Sequence, residues 1–167
     1  TAGEAKDAAK NVKKWMRRRY RLLEMSQLPG RGWVEYEPYG TVLVIGAWNF
    51  PFVLTLGPAV GAIAAGNTVI LKPAPDTPWC ATAIGQLVSE RTDIPAGVVN
   101  VLTSSDHQLG ALLSTDPRVD LVSFTGSTAT GRRVMASAAE TLKRVFLELG
   151  GKSAFIALDD EKLAEAC

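Results

Sequence analysis

Four positions in this chain carry residue types that could do chemistry together: the amide Asn49, the amine Lys72, the pair Gly126-Ser127 and the carboxylate Glu148. Each follows a short apolar run, namely Thr41 to Gly46, Thr68 to Leu71, Val119 to Phe124 and Val145 to Leu147. An amide offers a neutral donor to a developing negative charge, and a lysine offers a point charge with three donors. A Gly/Ser step that opens a helix leaves the free N–H groups of the first turn facing an anion. A carboxylate beside them could take a proton from water. The set describes an anion-binding edge with a base next to it.

The elements that must position these groups are legible in the spacing. Ala5, Ala8, Ala9, Val12, Trp15 and Met16 fall at helical intervals and predict an amphipathic helix from residue 3 to about residue 24. Val34 and Tyr36 alternate with polar neighbours as in a half-buried strand. Thr41 to Gly46 reads as a central parallel strand, Phe52 to Ala65 as an apolar helix capped by Gly66, and Thr68 to Leu71 as a second strand. Thr77-Pro78 opens a further helix as N-cap and first helical residue. Val98 to Leu102 and Val119 to Phe124 follow as strands, with a short helix from Gln108 to Leu113 between them. A tight turn at Thr125-Gly126-Ser127 then leads into a helix facing inward through Val134, Met135, Ala138 and Leu142. Lys143 to Leu149 and Ser153 to Ala157 are expected strands, and Asp159 or Asp160 caps a last helix. Alternation at this spacing predicts an α/β fold. It is a Rossmann-like parallel sheet flanked by helices, preceded by an N-terminal helix and a short strand. Residues 1–40 form the preceding segment and 41–167 the binding domain. In such sheets ligands sit beyond the carboxyl ends of the strands, where Asn49, Lys72, Gly126-Ser127 and Glu148 all fall.

Composition removes several other classes. The 167 residues carry a net charge of +1, too little for a nucleic-acid or anionic-membrane footprint. The run Arg17-Arg18-Arg19-Tyr20-Arg21 reads as a solvated helix face or a subunit contact. The uncharged stretch between Glu37 and Lys72 is broken by Asn49, Pro51, Gly57, Pro58, Gly61, Gly66 and Asn67, which argues against a membrane span. Thr1 to Lys14 is a charged helical pattern rather than a signal peptide. Cys80 and Cys167 show neither metal-ligand spacing nor a disulfide framework, so the expected compartment is the cytoplasm and no metal is expected. There is no P-loop, no G-x-S-x-G elbow and no G-x-G-x-x-G; Gly30-Arg31-Gly32 has Glu35 where the third glycine would fall. His107 is the sole histidine and decorates a helix start.

Taken together, Gly46–Pro51 (GAWNFP), Gly66–Ala74 (GNTVILKPA), Phe124–Ser127 (FTGS) and Leu147–Ser153 (LELGGKS) resemble the aldehyde dehydrogenase superfamily, in order and at similar separations. The resemblance implies a domain binding NAD or NADP. The implied reaction takes an aldehyde to a carboxylic acid through a cysteine thioester. On it, Asn49 corresponds to the amide that donates to the oxyanion, beside a plain reading as a loop cap. Glu148 corresponds to the base for the deacylating water, beside a plain reading as a strand-end carboxylate. Lys72 corresponds to the lysine on the adenosine ribose hydroxyls, beside a plain reading as an exposed strand end. The implied coenzyme-binding set is Ile45, Gly46, Ala47, Trp48, Lys72, Ala74, Pro75, Phe124, Gly126, Ser127, Leu149 and Gly150. Ser127 is also expected to act as an ordinary N-cap.

Departures from the family pattern carry expectations of their own. Ala47 replaces a proline, as in the branch acting on aromatic and medium- or long-chain aldehydes. Pro75 stands where many NAD-preferring members carry a glutamate, so NADP is expected to be tolerated. Ser104 occupies a position expected to be glycine in the adenine-side loop. The family's nucleophilic cysteine follows LELGGK by more residues than remain here, so the chain is expected to hold most of the coenzyme domain without the catalytic one. A catalytically inactive nucleotide-binding or assembly module is the alternative, and an unrelated Rossmann-like protein a more remote one. The resemblance also implies a homo-oligomer, or association with the missing catalytic portion.

Overall fold

The structure, a computed structural model, describes residues 2–154. Helix α1 (Ala2–Trp15) leads into a two-stranded antiparallel sheet of β1 (Arg19–Arg21) and β2 (Gly32–Val34). There follow β3 (Thr41–Ile45), α2 (Val53–Ala64), β4 (Thr68–Lys72), α3 (Pro78–Arg91), β5 (Val99–Val101), α4 (Gln108–Thr115), β6 (Leu121–Gly126), α5 (Thr128–Ala139) and β7 (Arg144–Leu149). The last five strands form one parallel sheet in the order β5-β4-β3-β6-β7. The fold is α/β and Rossmann-like. The strand expected at 153–157 lies largely outside the described residues, as does the helix expected after Asp159 or Asp160.

Strand β3 is apolar from Val42 to Ile45 because both of its faces are covered. Val42 and Val44 join Val69, Leu71, Ala59 and Ile84 in a core under α2 and α3. Leu43 turns to the opposite face and joins Val122, Phe124, Leu113 and Val134 under α4 and α5. Period-two alternation on a buried strand thus feeds two cores at once. The uncharged stretch from Glu37 to Lys72 is therefore strand, helix and strand. Among the described residues no helix is long and apolar enough to cross a membrane.

Helix α2 ends as its sequence suggests. Gly66 has φ +86°, its N–H donates to the Ile63 carbonyl at 2.9 Å, and the Asn67 N–H donates to the Ala62 carbonyl at 3.0 Å. Two of the helix's orphan carbonyls are satisfied by that left-handed cap. The Asn67 side chain then accepts from the Gly40 N–H at 2.9 Å and donates to the Ala62 carbonyl at 3.0 Å, tying the helix end to the start of β3. At the other end of β3, the Gly46 N–H donates to the Lys72 carbonyl at 3.1 Å and extends the ladder by one residue.

Three expectations are corrected. Helix α1 stops at Trp15 rather than near residue 24, and the arginine run lies in a turn and β1. A helix would have set Arg17 and Arg21 four residues apart on one face, with like charges repelling. The extended strand lets the guanidinium groups stack on rings instead: Arg18 is 5.0 Å from the Trp33 ring centre and Arg19 is 5.4 Å from that of Tyr36. Second, β2 lies earlier than the Val34/Tyr36 alternation suggests. Third, Gly126 does not turn the chain; it stays in β6, paired with Leu149. It is a glycine because a Cβ there would lie 2.6 Å from Cζ of Phe124.

Candidate functional site: the crevice at the strand switch

The sheet order reverses at β3. From there the chain moves outward through β4 and β5, then returns to place β6 on the other side. The α-helices leaving such a switch point diverge, and a crevice opens beyond the carboxyl ends of the two strands. A cavity of about 310 Å³ lies there. Strand β3 brings Ile45 and Gly46 to it, β4 brings Lys72 followed by Ala74 and Pro75, and β6 brings Phe124 and Thr125. Helix α4 supplies Gly110, Ala111 and Ser114, with His107 at its start, and α5 supplies Thr130, Arg133, Val134 and Ser137. A larger cavity of about 720 Å³ lies between α1 and α2, lined in part by Trp15, Met16, Tyr39 and Asn67. Tyr39 and Asn67 precede β3 and β4, so that cavity opens toward the amino ends of the strands. Topology rather than volume selects the crevice.

Lys72 is the dominant group in it. The residue is 4% exposed, and its Nζ donates to the Pro73 carbonyl at 3.2 Å. Burial pushes its ammonium below the usual lysine range, because charge out of water is disfavoured. A lysine at a strand end would ordinarily reach solvent. This one is covered by α4, where a Cβ on Gly110 would lie 3.6 Å from Lys72 Cε. Gly46 is pinned from the other side: a Cβ there would lie 2.6 Å from Oγ1 of Thr55. Thr55 is 1% exposed, and its hydroxyl has no partner among the described residues.

The helix starts are built from short polar contacts. Ser127 caps α5, its Oγ accepting from the Thr130 N–H at 3.2 Å. Before α4, Oδ1 of Asp106 accepts from the Gln108 N–H at 2.8 Å, and Oγ of Ser104 accepts from the Asp106 N–H at 2.9 Å. Ser104 thus has local work in the loop where glycine was expected. Thr77, expected to cap α3, makes no such bond, and its hydroxyl is buried without a partner among the described residues. Pro78 does occupy the first turn, as expected.

Of the residues named from the sequence, Ile45, Gly46, Lys72, Ala74, Pro75 and Phe124 line the cavity. Ala47, Trp48 and Asn49 lie on the loop beyond β3, where Trp48 is 65% exposed and Asn49 is exposed. Glu148 is exposed near the end of β7, opposite Thr125, and Gly150 follows β7, also exposed. Leu149 packs against α5 instead, its Cδ2 lying 2.7 Å from where a Cβ on Gly131 would sit. Asn49 and Glu148 therefore share the carboxyl edge with the cavity but lie outside it, with β6 between their strands. Sequence reasoning missed the faces of α4 and α5. The signal was the spacing 110/111/114 and 130/133/134/137, one helical stripe each, carrying small or polar residues.

Cys80 sits half-buried on α3 and does not line the cavity. Cys167 lies outside the described residues. No cluster of three or more metal-ligating side chains occurs among the described residues.

The chain belongs to the aldehyde dehydrogenase family, whose pattern matches residues 1–167. It is 45% identical over 130 residues to betaine aldehyde dehydrogenase of Vibrio vulnificus (strain CMCP6), covering 78% of this chain and 26% of that protein. It superposes on PnpE of Pseudomonas sp. WBC-3 in complex with nicotinamide adenine dinucleotide with a TM-score of 0.81 and 36% identity, covering 89% of this chain and 29% of that one. An NADP dependent enzyme of E. coli gives a TM-score of 0.80 at 39% identity, covering 86% of this chain and 29% of that one. The chain thus spans between a quarter and a third of the length of these relatives.

Proposed function

We propose that this chain is the coenzyme-binding portion of an NAD(P)-dependent aldehyde dehydrogenase, which oxidises an aldehyde to a carboxylic acid. Residues 41–167 are the binding unit and residues 1–40 the segment that precedes it. The observation that carries the reading is the buried Lys72 ammonium, in a switch-point cavity whose described lining holds no carboxylate. One hydrogen bond to Pro73 leaves donors of that ammonium free for ribose hydroxyls. The small residues Gly46, Gly110 and Ala111 leave room for a nucleotide between α4 and the strand ends. The start of α5, capped through Ser127, turns its amides toward the same edge, suited to a pyrophosphate. Bound nicotinamide supplies the hydride acceptor.

Asn49, exposed on the loop past Gly46, is assigned the donor to the aldehyde-derived oxyanion. Glu148, exposed near the end of β7, is assigned the proton acceptor for the attacking water. The nucleophilic thiol is assigned to sequence outside this chain, because Cys80 lies on α3 away from the cavity lining. With no thiol among the described residues of the crevice, the chain by itself would serve as a nucleotide-binding or assembly module. Aldehyde-dependent NAD(P)H formation by this chain alone would overturn that assignment. Pro75 gives no acidic partner for a ribose diol, so NADP is accepted as well as NAD; relatives of both descriptions share the fold. Titration with either dinucleotide should change the fluorescence of exposed Trp48 saturably. Lys72→Met should weaken that binding about tenfold or more, the worth of hydrogen bonds to a charged donor. A flat titration of the wild-type chain would sink the proposal.

A further inference from the structure

The cavity lining brings two fixed cations and a histidine together without an acidic residue among the described lining. Resting on the coenzyme reading above, we infer that Arg133 and His107 make this site selective for a dinucleotide bearing a 2′-phosphate. Three basic side chains line one small cavity: Lys72 from the sheet, His107 from the start of α4 and Arg133 from α5. None of the described lining residues is acidic. The nearest carboxylates in sequence do not supply the balance. Asp76, after Pro75, is exposed and outside the lining, and Asp106, before His107, is engaged with the Gln108 N–H at 2.8 Å.

Arg133 is not matched on its own helix either. Residues three and four positions away are Ala129, Thr130, Ala136 and Ser137, none of them charged. Its Nη2 donates to Thr130 Oγ1 at 3.2 Å, on the helix face that also turns Val134 and Ser137 to the cavity. A guanidinium has five N–H donors in a fixed fork, a geometry that suits a phosphate. A 2′-phosphate adds a charge of about −1.5 to −2, by analogy with other phosphate monoesters. At Pro75, where a carboxylate would repel that group, the chain presents no charge. Attraction at Arg133 and the absence of repulsion at Pro75 act in the same direction.

The test is calorimetric titration of the whole chain with adenosine 2′,5′-bisphosphate and with adenosine 5′-monophosphate. The bisphosphate is expected to bind about tenfold tighter or more, as one or two charge-assisted hydrogen bonds provide. Arg133→Gln should remove most of that advantage and leave monophosphate affinity within about twofold. Arg133→Lys should restore part of it, as a point charge without the fork. Arg133 is exposed, so all three proteins should melt together, separating a binding effect from a folding one. His107→Asn should give a smaller loss confined to the bisphosphate. Equal affinities in the wild type, or a Gln variant that weakens both nucleotides alike, would overturn the selectivity while leaving the coenzyme site standing. Failure of the wild type to bind either nucleotide would overturn both.

Discussion

At the scale of single residues, Lys72, the group proposed to hold the dinucleotide, is also one that costs the empty fold stability. Lys72 is held 4% exposed, with burial depressing its proton affinity. In the window between that depressed value and the ordinary lysine value of 10.5, the unfolded chain binds more protons than the folded one. Stability attributable to Lys72 therefore rises with pH across that window, and below it the full desolvation cost remains. Lys72→Met, apolar and of similar length, should stabilise the ligand-free chain at neutral pH by about 1 kcal/mol, as other replacements of buried charge do. The difference in urea midpoints between the two proteins should shrink as pH is raised toward 10.5. A pH-independent gap, or a less stable methionine variant, would contradict this account. Gly126 offers a purely steric counterpart. Gly126→Ala places a Cβ 2.6 Å from the ring of buried Phe124, so the ring must move against Leu43 and Val134. The expected loss is about 1–3 kcal/mol in chemical denaturation, the range for overpacking.

At the scale of elements, legibility followed burial. Strands β3, β4 and β6 stood out because a strand covered on both faces is apolar through most of its length, and few polar residues interrupt that signal. The left-handed Gly66 cap and the Ser127 cap were legible because each needs one residue type at one position. The end of α1 was not, since helical spacing persists to Met16 while the stacking of Arg18 on Trp33 depends on a partner 15 positions away. The inner faces of α4 and α5 escaped for a different reason: a helix face turned to an open crevice carries small and polar residues, as a solvent face does. Nor did any pattern announce the α4–β6 connection. There the Asp116 carboxylate accepts from the Arg118 N–H at 2.9 Å and from its guanidinium at 2.6 and 2.9 Å, while Lys143 Nζ donates to the Asp116 carbonyl at 2.6 Å. Arg118 holds the Asp116 carboxyl well below its ordinary 3.8. That stabilisation is complete above the ordinary value and is lost as pH falls toward the depressed one. Asp116→Asn should accordingly flatten the fall in stability below pH 3.8 that the wild type shows in acid titration followed by circular dichroism. An unchanged acid limb would mean that the network contributes nothing to folding.

At the scale of the molecule, the chain divides its hydrogen bonds between two sheets that share none. The five-stranded sheet sits between its two cores, with Leu43, Val69, Leu71 and Val122 fully buried. The β1–β2 pair stands outside it with three residues per strand, and its neighbours Leu22 and Met25 are 103% and 86% exposed. Two strands alone are marginal in water, whatever the merit of their side-chain contacts. Here those contacts are the Tyr20–Trp33 edge-to-face pair at 6.3 Å and the exposed Arg18–Glu35 bridge at 2.8 Å, of a kind worth about 0–1 kcal/mol. The pair should therefore open without the rest of the fold. In native-state hydrogen exchange, the amides of β1 and β2 should exchange through local opening with little dependence on denaturant. The amides of Val44 and Val122 should exchange only with global unfolding. Uncovered apolar area at this hairpin also suits a subunit contact, one of the two readings that the arginine run allowed. If so, its protection should rise with protein concentration while that of Val44 does not. Protection of the hairpin equal to Val44 at every concentration would show instead that the two sheets unfold as one unit.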